Sequence, residues 1–357
     1  MNNEKLLRVI KNMHSVGLKQ LLISSPVSIK YLTGLSIGPG ERLLALIVRD
    51  DGRLTLIGNK LFALAKSEDF ELIEYSDTDD TSEVIKSAVS PGTLGVDKDL
   101  RCRFALPFMK ACPETPLVLG SECVDKARML KTSEEIALMR ESSLKNDAAL
   151  ESTIKTLKTN LTELDVGDIY LKNALAAGGE GASFEPLICF GKNCAEPHHD
   201  TDATRLSEGD SVILDVGLLY KGYCSDMTRT VFMGNITDEQ KYVYDLVLKA
   251  NGAGRNAVRP GVPLKDVDAA ARRVIEDAGY GEYFIHRTGH GIGLEVHEFP
   301  DVSTASEEVC APGMVFSIEP GIYLPGRFGV RIEDLVCVTE DGCETLNRLS
   351  KEPMIVK

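Results

Sequence analysis

Two carboxylates stand where an apolar strand has little room for charge. The stretch Val212–Thr230, VILDVGLLYKGYCSDMTRT, reads as two strands joined by a turn near Lys221-Gly222, and each strand carries an aspartate, Asp215 and Asp226. The turn brings them opposite or diagonal to one another on neighbouring strands, where opposed Cβ atoms lie roughly 4.5–5.5 Å apart. A buried carboxylate is costly unless it is paired or bound, and a second like charge at that distance makes it worse. Edge aspartates facing water would escape the difficulty, but the flanking VIL and GLLY are too apolar for an exposed strand.

Two glutamates have the same character. Glu319 ends the apolar run of MVFSIEPGIYL, just before Pro320-Gly321. GVRIEDLVCVT reads as a strand in which Arg331 and Glu333 share one face by the period of two. Arg331 could neutralise one acid by a salt bridge; it cannot neutralise four, and divalent cations can.

The chain has only 6 histidines, and His286, His290 and His297 fall together in HRTGHGIGLEVHEFP. Gly289, Gly291 and Gly293 argue against a helix there, so His286 and His290 are not a helical pair. No H-E-x-x-H is present, and the glycine spacing is wrong for a nucleotide loop. A second cluster, CAEPHHDTD, places His198 and His199 on a loop, while His14 lies on a helix and is incidental. A single histidine is more often a structural hydrogen-bonder than a ligand. Beside four half-buried acids, these read as part of a metal site.

A net charge of −14 repels nucleic acid and anionic membranes, so neither is expected as a partner. Apolar runs such as LLALIV at Leu43–Val48 are far shorter than the roughly 20 residues of a spanning helix. Charges interrupt the N-terminal MNNEKLLRVIKNMHSVG, unlike a signal peptide, so the expected location is cytoplasmic. The 9 cysteines include no C-x-x-C pair and are read as reduced, scattered thiols rather than zinc ligands.

The first third alternates between a helix ending at Gly17, a strand KQLLIS, two strands around Asp50-Asp51-Gly52, and a short strand TLGVD. It makes a small α/β unit serving as scaffold or specificity domain. The boundary is expected near 124–132, giving domains 1–127 and 128–357. A new helix opens there on a capping box, Thr132 with Glu135, and is expected to run to about Lys158. The second domain reads as helices covering a mostly antiparallel sheet, hence α+β.

In order, LDVGLLYKGYCSDMTRT, HRTGHGIGLEVHE, SIEPGIY and VRIED resemble the motifs of the pita-bread metallopeptidases, closest to the Xaa-Pro aminopeptidases and prolidases. The first domain, with SPVSIKYLTGL, resembles their creatinase-type N-terminal domain. The resemblance implies two divalent ions held by Asp215, Asp226, His290, Glu319 and Glu333. Asp226 and Glu333 would bridge both ions, Asp215 would hold one, and His290 with Glu319 the other. Four carboxylates and a hydroxide against two divalent ions leave a near-balanced charge. Oxygen-rich ligation with one imidazole suits Mn2+ or Co2+, with Zn2+ as an alternative.

By the same resemblance, ions roughly 3.5–4 Å apart acidify a shared water for attack on the scissile carbonyl. Glu319 takes its proton, His198 contacts substrate, and His297 stabilises the oxyanion; His199 is the less suited of its pair. Methionine aminopeptidases share the five ligands but lack the N-terminal domain and the counterparts of His286 and Arg331, which here are assigned to substrate. The implied substrates are small peptides with proline second, and the implied assembly is a homodimer. In some prolidases an arginine after the HExP proline binds the dipeptide's carboxylate. Asp301 stands there instead, and this tilts the expectation towards an aminopeptidase. Alternatives are a C–S lyase or amidinohydrolase on the same fold, or a catalytically silent peptide-binding protein.

Overall fold

The computed structural model describes residues 3–357, which group into two compact units divided between Arg128 and Met129. The first unit has a six-stranded sheet in the order Glu71–Tyr75, Leu54–Asn59, Ala45–Arg49, Gln20–Ile23, Leu94–Val96, Leu117–Leu119. The Asp50-Asp51-Gly52 segment closes an antiparallel hairpin, with Gly52 at a left-handed φ of 89°. Leu22, Ile47, Ile57, Phe104 and Phe108 share its core. Its buried Asp97 is satisfied internally, accepting from Ser24 N, Ser25 N and Ser24 Oγ.

In the second unit, three of the four α-helices open on a threonine capping box: Thr132 with Glu135, Thr162 with Asp165, and Thr237 with Gln240. Each threonine oxygen takes an amide proton of the first turn while the partner side chain takes that of the threonine, so two donors are satisfied at once. The helix begun at Ser133 stops at Ile154, short of Lys158. Beyond it Thr156 and Leu157 donate only three residues back, which tightens and ends the helix.

Helices Ser133–Ile154 and Glu163–Ala176 pack Leu150 and Tyr170 against Ile188, Leu214 and Val231 of one sheet. Helices Asp238–Ala257 and Leu264–Asp277 cover the strands that follow, through Val247 against Ile322 and Val330, and Val267 against Phe316 and Ile318. Strand pairing in this unit is antiparallel except between Met227–Met233 and Met354–Val356. This is the α+β pita-bread architecture, preceded by the smaller α/β unit. No helix among the described residues is long and apolar enough to cross a membrane.

Two stretches depart from their sequence reading. Val212–Thr230 forms four strand segments, Ser211–Val216, Leu218–Tyr220, Tyr223–Cys224 and Met227–Met233, shared between two sheets. The two-residue turn is Lys221-Gly222, both left-handed at φ 48° and 79°, as a tight hairpin requires. At Gly217 the chain crosses between sheets so close to its neighbours that a Cβ would lie 2.0 Å from Ser183 Oγ. Asp215 pairs with Thr228, which leaves Asp226 on the diagonal. Likewise GVRIEDLVCVT is two strands, Phe328–Arg331 and Asp334–Val338, in different sheets. Ile332 N donates to Pro320 O and Glu333 N to Thr228 O, so the break sits at the carboxylate.

One acid in this unit weakens it at neutral pH. Asp147 accepts from Arg348 N through Oδ2, but its Oδ1 is buried without a donor. Burial outweighs that hydrogen bond and pushes its carboxyl up to about 6. With the folded value above the unfolded one, its stabilising contribution is full below about pH 4 and lost as pH rises through about 6. Asp147→Asn should therefore raise the Tm at pH 7.5 by roughly 2–5 °C, with the difference vanishing near pH 4. Calorimetry at the two pH values checks this.

Candidate active site

The nine residues singled out above, His198, Asp215, Asp226, His286, His290, His297, Glu319, Arg331 and Glu333, all line one cavity of about 410 Å3 in the second unit. They come from separate strands and loops. Asp215 is carried by Ser211–Val216, Asp226 precedes Met227–Met233, and His290 is the middle of Gly289–Gly291. Glu319 follows Val315–Ile318, and Glu333 lies between its two strands.

Close strand packing presents His290. A Cβ on Gly289 would lie 1.8 Å from Ser317 O, and one on Gly291 would lie 2.6 Å from Phe299 O. Glycine is required on both sides of the histidine by contact, not by torsion. Its Nδ1 lies 3.1 Å from Gly291 O, which can only accept. Nδ1 therefore donates to Gly291 O, and Nε2 faces the acids, 3.3 Å from Glu319 Oε1 and 3.7 Å from Asp226 Oδ2.

Three carboxylates each have an oxygen left over, and in two of them the other oxygen is held. Asp215 Oδ2 accepts from Arg331 Nη2 at 2.7 Å, and Glu333 Oε2 accepts from Thr228 Oγ1 at 2.7 Å. Asp215 Oδ1, Asp226 Oδ1 and Glu333 Oε1 are buried with no hydrogen-bond donor among the described residues. Burial, with the neighbouring acids, pushes Asp226 and Glu333 well above the usual carboxylate range and raises Asp215 despite Arg331. Glu319 behaves oppositely. Burial would raise it, but the His290 hydrogen bond, with the positive charge of Arg331, holds it at about 2.

This donor set fits divalent cations. Ligand atoms of Asp226, His290 and Glu333 all lie within 4.8 Å of one another. A second acid–histidine group, Glu163 with His199 and Asp202, is equally compact, and there the contrast is instructive. Glu163 Oε1 accepts from Phe190 N and Asn193 Nδ2, and Oε2 from Asp202 N, with His199 Nε2 at 2.9 Å. With its acceptor sites filled by protein donors, it is an anchor for the loop rather than an ion site. It turns His199 away while the adjacent His198 lines the cavity.

Arg331, assigned to substrate from the sequence, has another employment. It is 3% exposed, and its guanidinium donates to Asp215 Oδ2, Tyr323 OH, Thr228 Oγ1 and Pro197 O. It neutralises an aspartate, not one of the glutamates. Tyr323, buried and pushed up to about 12, stays protonated and sits 2.8 Å from His286 Nε2. Burial lowers His286, whose Nδ1 lies 2.7 Å from Arg287 O, so its neutral ring accepts the tyrosine proton. A chain Asp215–Arg331–Tyr323–His286 results. His297 is edge-on to His290, with ring centroids 4.3 Å apart; burial and the charges of His290 and Arg287 lower it to about 4.

Sequence reasoning passed over four supports. Tyr323, at the end of SIEPGIY, links Arg331 to His286. Thr228 carries Glu333 on its hydroxyl. Asn251 Nδ2 donates to Ile318 O and Ile332 O, pinning the residues before Glu319 and Glu333 from one helix. Arg229, fully buried, donates to Glu333 O, Thr228 O, Leu349 O and Asp334 Oδ1. Only Arg229 left a signal, as the one charged residue of the strand Met227–Met233.

Residues 137–340 match metallopeptidase family M24, and residues 5–130 match the creatinase/prolidase N-terminal domain. A Staphylococcus aureus (strain USA300) protein described as an uncharacterized peptidase is 34% identical over 97% of this chain and 99% of its own length. The crystal structure of a dipeptidase from Pyrococcus horikoshii OT3 superposes with a TM-score of 0.92 at 34% identity, covering 99% of this chain and 100% of that one. A recombinant prolidase from Thermococcus sibiricus gives 0.93 at 32% identity, with 100% of both chains covered. Matched through both its parts and along almost its whole length, the chain belongs to metallopeptidase family M24, whose members use divalent metal ions.

Proposed function

We propose that the protein is an Xaa-Pro dipeptidase whose cavity holds two divalent ions, manganese or cobalt, with zinc as the alternative. One observation carries the reading: three buried carboxylate oxygens without donors share a cavity with His290 Nε2. Asp215, Asp226, His290, Glu319 and Glu333 would hold the ions. Bound there, divalent cations supply Lewis acidity and acidify water at neutral pH.

The chain's own residues do the rest. Arg331 occupies Asp215 Oδ2 and Thr228 occupies Glu333 Oε2, so the remaining oxygens point inward without freedom to rotate away. Glu319 Oε1, steadied by Ser317 Oγ, takes a proton from water and returns it to the leaving nitrogen. Its low affinity for that proton depends on the His290 hydrogen bond, which is lost once His290 Nε2 is otherwise engaged. His297, neutral above about pH 4, can donate an N–H to the developing oxyanion, and His198 meets substrate at the wall. His286 is fixed by Tyr323 beside them.

Dipeptidase is preferred over aminopeptidase for two reasons. Two structures that this chain resembles along its whole length are described as a dipeptidase and a prolidase. The sequence argument against a dipeptide rested on a bare carboxylate at Asp301, and Asp301 is ion-paired with Arg287.

Manganese- or cobalt-loaded protein should hydrolyse an Xaa-Pro dipeptide faster than the corresponding tripeptide and leave a dipeptide without proline intact. Inertness towards both proline peptides, in protein shown to carry metal, would sink the proposal. Equal turnover without proline would remove only the specificity. Asp226→Asn should lose at least one ion per chain by metal analysis. Its kcat/KM should drop by more than the roughly 10–100-fold typical of outer-layer changes. Full metal content in that variant contradicts the bridging role.

A further inference from the structure

A dipeptide brings a free carboxylate into a cavity already rich in acids, and burial there demands a cation. The cavity wall has two guanidinium groups, Arg331 and Arg287. Arg331 is excluded because it is 3% exposed and its donors are taken by Asp215, Tyr323, Thr228 and Pro197 O. Arg287 differs in both respects. Its side chain is 36% exposed, and its one hydrogen bond among the described residues runs from Nη1 to Asp301 Oδ1. A guanidinium has five N–H donors, so the rest of the fork is open.

Asp301 is placed to orient this arginine. It lies on Glu298–Val302 directly across from His290, three residues after Arg287, so the sheet register sets the span of the pair. At 58% exposure Asp301 is solvated and screens Arg287 only partly. A second cavity of about 560 Å3 shares Pro197, His198 and His286 with the first. It has Ile285 and Pro325 in its wall and Glu196 as its one charged group, so it repels a carboxylate and suits uncharged chain.

We infer that Arg287, oriented by Asp301, is the specificity-determining residue that binds the free carboxylate of a dipeptide substrate. This rests on the Xaa-Pro reading above and adds to it where the substrate ends. The two residues reverse the expected effect of Asp301: the acid holds the cation in place instead of repelling the ligand.

The test compares an Xaa-Pro dipeptide with its C-terminal carboxamide, using metal-loaded wild type, R287Q and R287K. Wild type should prefer the free acid. R287Q should lose about 10- to 100-fold in kcat/KM on the dipeptide, the size of a lost charge-assisted hydrogen bond, chiefly through KM. The carboxamide should be unaffected, metal content and Tm should not change, and R287K should keep part of the preference. Equal losses on both substrates in R287Q, or a wild type indifferent to the blocked end, would overturn the role of Arg287 and leave the Xaa-Pro reading standing. A metal-replete wild type inert to both substrates would bring down the two together.

Discussion

Asp215 Oδ1, Asp226 Oδ1 and Glu333 Oε1 lie buried and unmatched, and the second unit is organised so that they stay that way. Left to themselves, carboxylates in a protein interior take protons or find donors. Here the second oxygen of Asp215 and of Glu333 is fastened by a protein donor, which fixes the direction of the first. The cost of holding negative charge in this position is repaid when cations bind, and is not offset within the chain. The Glu163 cluster shows the other outcome, since its acceptor sites are filled internally and nothing remains for an ion.

Support for that arrangement comes from behind the cavity. Asn251 ties the two segments ending in Glu319 and Glu333 to one helix, and Arg229 ties the Thr228 and Glu333 backbones to the C-terminal segment. Arg331 joins Asp215 to Tyr323 and, through it, to His286. The carboxylates and the histidine wall of the cavity are thus parts of one hydrogen-bonded frame. A change in Tyr323 or Thr228 would be felt at Asp215, His286 or Glu333 through these hydrogen bonds.

Much of the site was legible in the chain because charge is conspicuous in apolar surroundings. Asp215, Asp226, Glu319 and Glu333 each interrupt an apolar run, and glycines on both sides of His290 mark a place where backbone comes close. The threonine capping box announced the helix at Ser133 for a local reason, the needs of the first-turn amides. Where the reading went astray, the cause lay outside the segment. Val212–Thr230 reads as two strands and GVRIEDLVCVT as one, and the further breaks come from partners outside each segment, Ser183, Pro320 and Thr228. The ion pair of Asp301 is hidden in the same way, because strand pairing brings Arg287 to it.

What residue order alone determined was the inventory: which acids and histidines could not rest comfortably where they fall, where helices begin, and which glycines permit close approach. These follow from local periodicity and the cost of burying charge, both written along the chain. Tertiary structure decided which oxygens have donors, that Arg331 is bonded to Asp215, that His198 and not His199 lines the cavity, and that Asp301 is paired. Those are distances between residues up to 116 positions apart, and no local pattern encodes them.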